Sequence, residues 1–195
     1  MMHYSLYTEL DRLSRRFSKK EKSVLQVIIE ESLTNFIFDG IKRKTGMHQE
    51  TLSRTLARLE HAGIITKTSE GYAVADNAKE HFPIPLGYSS SSIHVPLIQT
   101  ILPQDVDLEC ILSGLQGKWF GTLRWFGRSK TESNITLKWL TEDGKVQIEA
   151  LFSDSSLSIE GKLQNNKDVS NAIKASHQLM EQIIKLYSKQ KNAIL

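Results

Sequence analysis

A single cysteine among 195 residues leaves Cys110 without an internal disulfide partner, which fits a reducing cytoplasm. Long apolar runs are missing too. The longest, residues 24–29, is broken by Gln26 and closed by Glu30 and Glu31, so no segment is expected to span a membrane. The opening Met1-Met2-His3, followed by polar residues, lacks the apolar stretch of a signal peptide. The histidines, His3, His48, His61, His81, His94 and His177, show with Cys110 no CxxC, HxxxH or HExxH spacing, so no metal site is expected. Neither a GxSxG turn nor a glycine-rich phosphate loop occurs. The alternating Asp105, Asp107 and Glu109 are accounted for as dipole partners at a helix start. An enzyme or a cofactor-dependent protein is therefore not expected. Charge of one sign is also scarce: the net charge is +3, with 13 Lys/Arg against 11 Asp/Glu in residues 1–85 and 12 against 11 in residues 86–195. Bulk charge thus says little about nucleic acid, and local clustering has to carry that question.

What the chain does have is one strongly patterned stretch, residues 48–76. Leu52, Leu56, Leu59 and Ala62 recur at helical spacing as one apolar stripe, while Gln49, Ser53, Arg54, Ala57, Arg58 and His61 lie off it. Gly63 is placed to stop that helix in a left-handed conformation. Residues 64–67 and 72–75 then read as two short strands around Thr68-Ser69-Glu70-Gly71. Helix, glycine and hairpin in that order are the pattern of a winged helix-turn-helix. The string Ser53-Arg54-Thr55-Leu56-Ala57-Arg58-Leu59-Glu60-His61-Ala62-Gly63-Ile64-Ile65 resembles the recognition helix and first wing strand of MarR-type and related winged-helix transcriptional regulators, over residues 18–80. That resemblance implies a regulator that binds double-stranded DNA, with the helix at 48–62 in the major groove and a wing at 66–71 on the backbone or minor groove. It also implies a homodimer, since duplex sites are read by paired helices about one helical turn apart.

Within that reading, Gln49, Ser53 and Arg54 are the candidates for base edges, because arginine pairs bidentately with guanine and glutamine with adenine. Arg58, a turn further on, suits a phosphate or a carboxylate within the protein. Arg43 and Lys44, in the cluster Lys42-Arg43-Lys44 beside the Thr45-Gly46 turn, lie where phosphates would pass. Lys67 and Ser69 supply the wing tip, with Glu70 beside them as a weakening neighbour.

The flanks complete the architecture. Residues 5–17 form an amphipathic helix that packs on its own domain or pairs with a second chain. Ser18 and Glu21 form a capping box for a helix to about residue 33, and Thr34 is read as the cap of the next, with Phe36, Ile37, Phe38 and Ile41 in its core. The four prolines all fall at 83–103, so residues 83–104 read as a connection between a winged-helix domain at 1–82 and an α+β domain at 105–195. This second domain is expected to be two-layered: a helix at 105–116, a four-stranded antiparallel meander at 118–126, 134–141, 145–152 and 156–163, and a long helix at 168–190. The apolar side of that last helix is read as Val169, Ile173, Met180, Ile183, Ile184 and Tyr187.

Strand alternation puts Trp119, Trp125 and Trp139 on the core face with Gly121 and Gly127, a possible hollow for a small apolar effector. The opposite face, with Phe120, Arg124, Phe126, Arg128, Lys138, Leu140, Gln147 and Lys162, is a subunit interface, a solvated surface or a nucleic-acid platform. The competing function from another class is a winged-helix protein-interaction module in a transcription or RNA-processing assembly.

Overall fold

The computed structural model describes residues 17–79, 92–153 and 155–193; the helix expected at 5–17 lies outside them except for Phe17. Helix α1, Lys19–Glu30, opens on the capping box: the Ser18 amide donates to Glu21 Oε2 at 2.6 Å and the Glu21 amide to Ser18 Oγ at 3.4 Å. Its buried face is Val24, Leu25 and Ile28. A short strand β1, Asn35–Phe36, precedes helix α2, Phe38–Thr45, which ends at the left-handed Gly46. Helix α3, Gln49–His61, buries Leu52, Thr55, Leu56 and Leu59. Gly63, at φ 73°, stops it: the Gly63 amide donates to the Glu60 carbonyl and the Ile64 amide to the Leu59 carbonyl, a Schellman closure. The hairpin β2, Ile65–Thr68, and β3, Gly71–Val74, follows, and then a short helix α4, Asp76–Lys79.

The remaining elements are β4, Ile93–Ile101, α5, Leu108–Leu115, β5, Leu123–Lys130, β6, Ile135–Thr141, β7, Val146–Phe152, β8, Ser156–Leu163, and the long helix α6, Val169–Ala193. All strands join one antiparallel sheet in the order β2-β3-β1-β5-β6-β7-β8-β4. The meander β5 to β8 is the expected one. Two strands extend it from places where none was expected. β4 lies in the Pro-containing connection and pairs with β8 at the sheet edge, where Pro96 sits beside a register shift. β1 sits where Thr34 was read as a helix cap. Thr34 instead donates its amide and hydroxyl to the Arg128 carbonyl, and β1 is sewn between β3 and β5.

A bulge at Phe126 explains why the face assignments on β5 go wrong past that point. Trp125 pairs with Trp139 and Gly127 with Lys138, so Phe126 is the extra residue and the phase of the strand flips. Gly127 therefore faces the N-terminal half, where an added Cβ would lie 2.3 Å from the Asn35 carbonyl oxygen. Arg128 moves to the other face and donates to Asn35 Oδ1 and Gln116 Oε1, each at 3.0 Å. At the start of β5, Gly121 takes φ 54° in a turn, so the strand begins at Leu123 rather than at 118 and Phe120 packs on the core side.

Two cores lie on opposite faces of the sheet. One is roofed by α5 and α6, the latter contributing Ala172, Ala175, Leu179 and Ile183. Ile173 and Ile184, assigned to that buried stripe from spacing, are about half exposed instead, because small residues let the helix lie closer on a neighbouring stripe. The second core gathers α1, α2 and α3 with Phe36, Ile65 and Val74, and is completed by Phe126 and Leu140 of the meander. Helix α2 lies against Phe126 at Gly40, where a Cβ would come within 2.4 Å of the ring.

Candidate nucleic-acid interface

Helix α3 turns its leucines inward, which leaves Gln49, Ser53, Arg54, Ala57, Arg58 and His61 exposed together along its outer side. Each arginine there has a partner. Arg54 pairs with Glu50 one turn before it. Arg58 lies 3.8 Å from Glu21, a largely buried carboxylate of the α1 capping box, and so ties α3 to α1. Glu60 accepts from the Lys67 amide at 3.2 Å and joins α3 to the hairpin, where Lys67 and Ser69 are exposed. The hairpin is braced from behind by Tyr72 stacked on Phe36 at 5.5 Å; burial, with help from Glu60, pushes the Tyr72 phenol up.

The basic cluster beside the turn is placed differently from the sequence expectation. Lys44 donates to Glu31 at 3.0 Å, inside the chain rather than toward solvent. Glu31, the C-terminal cap of α1, is 4% exposed and also receives Lys162 at 2.8 Å, Lys138 at 3.6 Å and Gln147 Nε2 at 2.6 Å. Burial alone would raise its carboxyl, but Lys44, Lys138 and Lys162 together hold it at about 2. Arg43 points toward the β6–β7 hairpin, lining with Lys42, Asp39, Glu142 and Asp143 a cleft of about 360 Å³. Its Nη1 is buried with no hydrogen-bond partner among the described residues.

The open sheet face therefore finds its cover within the same chain. Phe126, Lys138, Leu140 and Gln147 are all buried there, while Leu151 and Glu160 stay exposed further along. The indole hollow is closed. Trp139 is fully buried, Trp125 packs edge-on against it at 5.2 Å, and Trp139 Nε1 donates to the Lys118 carbonyl. Trp119 is 57% exposed, outside that core, with the Arg124 guanidinium 4.8 Å from its ring and Arg124 paired in turn with Glu142. The three tryptophans thus line no common cavity, and the apolar effector site has no place among them.

Of the carboxylates that give the cations their partners, Glu21 is read from the sequence only as the capping-box residue of α1, and Glu31 is not read as a partner at all. Arg54 and Glu50 carry a legible signal, the helical i,i+4 spacing; Glu31 carries none, because its partners lie 13 to 131 residues away. Among the described residues no group of His, Cys, Asp and Glu gathers as metal ligands, and no helix is long and apolar enough to cross a membrane. Comparison with protein-family models, curated proteins and solved structures finds no match.

Proposed function

We propose that this chain is a sequence-specific, double-stranded DNA-binding transcriptional regulator of the cytoplasm, and that α1, β1, α2, α3 and the β2–β3 hairpin are a winged helix-turn-helix. The observation that carries the reading is the outer side of α3, where Gln49, Ser53 and Arg54 are exposed at the N-terminal end, next to a hairpin tip presenting Lys67 and Ser69. In the major groove, Arg54 leaves Glu50 for guanine and Gln49 takes adenine, while Arg58 and Lys67 meet phosphates. The exchange is inexpensive, because an exposed i,i+4 pair contributes only about 0.3–0.5 kcal/mol. The regulator acts as a homodimer, which places two copies of α3 on successive half-sites.

A second reading, a winged-helix module that binds protein, is favoured by a specific observation: Lys44 is held by Glu31 and both arginines of α3 already have carboxylate partners. The experiment that separates the two is titration of the full chain with random genomic duplex at several salt concentrations, alongside its solution mass. Salt-dependent binding by a dimer supports the regulator; no binding at low salt overturns it and leaves the protein-binding module.

A further inference from the structure

Helix α6 carries a second apolar stripe beside the one it buries. Ile173, Met180, Ile184 and Tyr187 recur with His177 at alternating intervals of four and three residues, the spacing that keeps one seam facing a partner helix. Ser176 and Ile183, on the inner side of that seam, are buried, and Lys174 and Glu181, on its outer side, are exposed. The seam itself is left partly uncovered: Ile173 is 44% exposed, Ile184 50%, and His177 between them is exposed as well. From Ile173 to Tyr187 it follows the helix for about 21 Å.

The charges beside the seam supply an independent observation. Among the described residues, Lys174, Glu181 and Lys185 have no ion pair and no side-chain hydrogen bond, although Glu181 and Lys185 stand one turn apart. Lys174 and Glu181 match a second copy of the helix laid against the seam in the opposite direction. A two-fold axis between residues 178 and 179 sets Ile173 against Ile184 of the second copy and His177 against its Met180, each contact occurring twice. The same register brings Lys174 beside Glu181 of the second copy, again twice. In a parallel pair those two residues would be separated by about 10 Å along the axis.

We propose that α6 is the surface through which two copies of this chain pair, antiparallel along the seam from Ile173 to Tyr187. The sheet face that competed for that role is covered by α1, α2 and α3 of the same chain. Helix α6 roofs the opposite face, so the pairing leaves the outer side of α3 uncovered in each copy. The proposal takes from the DNA-binding reading only the expectation of a homodimer. A seam of this length is at the small end of interface sizes, and a dissociation constant in the micromolar range is expected.

The test is sedimentation equilibrium of the full chain from about 1 to 200 µM, with melting curves at the lowest concentration to verify folding. Ile184→Glu buries a charge against Ile173 of the second copy and is expected to weaken association at least about a hundredfold. Ile101→Glu, at an 81% exposed position on the other face of the sheet, is expected to leave it unchanged. Lys174→Glu opposes two glutamates twice in the dimer and is expected to weaken it about tenfold, while Lys174→Glu combined with Glu181→Lys restores it to within about threefold. A monomeric wild type overturns the proposal, as does a dimer indifferent to Ile184→Glu in a folded variant or a double charge exchange that fails to restore association. No duplex enters these measurements: a monomer that binds DNA overturns the pairing alone, and a dimer broken by Ile184→Glu that binds no DNA upholds the pairing and overturns the DNA-binding reading alone.

Discussion

The Lys162 ammonium donates to the Glu31 carboxylate at 2.8 Å across 131 residues of chain, and with Lys44 and Lys138 it makes one buried carboxylate the latch between the α-helical half and the sheet. Removing one partner of such a group leaves the rest charged and unpaired. Glu31→Gln is expected to cost about 3–5 kcal/mol, or a fall of roughly 10 °C in Tm for a chain of this size, read by thermal unfolding.

The same residue sets a pH dependence. Its folded value of about 2 lies below the ordinary 4.5, so its contribution is complete above about pH 4.5 and is lost as the pH falls toward 2. That contribution is roughly 3 kcal/mol. Stability measured from pH 6 to pH 2 is expected to drop steeply in the wild type and more shallowly in Glu31→Gln; parallel curves would contradict the latch.

Three variants at cationic positions are expected to part company. Arg54→Ala is expected to lower duplex affinity and relax sequence preference by about 1–3 kcal/mol at one position, with little change in Tm. Lys44→Ala is expected to lower Tm through the loss of its bond to Glu31, rather than to reduce the salt dependence of binding. Lys67→Ala, at the exposed hairpin tip, is the variant expected to flatten the salt slope by about one unit. Binding isotherms at several salt concentrations, with melting curves on the same samples, check all three.

Gly127→Ala is expected to be severely destabilising, by more than about 3 kcal/mol, because the new methyl has to displace the β1 backbone 2.3 Å away. Gly144→Ala, whose Cβ meets no atom closer than 3.7 Å, is expected to suffer only the left-handed backbone penalty of about 1–2 kcal/mol. Chemical denaturation of the two variants distinguishes a blocked seam from an ordinary turn effect.

The tryptophans offer a further check. Trp139→Ala is expected to cost about 3–5 kcal/mol as a fully buried side chain. Trp119→Phe, at an exposed position, is expected to change stability by less than about 0.5 kcal/mol while removing the fluorescence component most accessible to a soluble quencher.

Local features were legible in the sequence wherever one element carries its own signal. The Ser18–Glu21 capping box, the leucine stripe of α3, its Gly63 stop and the Asp143-Gly144 turn depend on residues a few positions apart. Long-range features were not. Phe36 and Ile37 read as helix core by spacing, yet β1 forms because the edges of β3 and β5 stand ready to pair with it. On β5 the period-two rule held up to Trp125 and then inverted, since one inserted residue at Phe126 reverses every later assignment. The exposed outer side of α3 was foreseen from its pattern, whereas the inward turn of Lys44 depends on Glu31, which sequence spacing gives no reason to pair with it.

The core beneath α1, α2 and α3 includes Phe126 and Leu140, residues made long after the last of those helices. During synthesis residues 17–79 therefore emerge without Phe126 and Leu140 in their core and with β1 unpaired on its β5 side, and they have to wait for the meander to complete both. Such a chain folds late and as one unit, with the distant strand pairing setting its pace. A fragment ending before the meander would meet a cell's chaperones with that core still open.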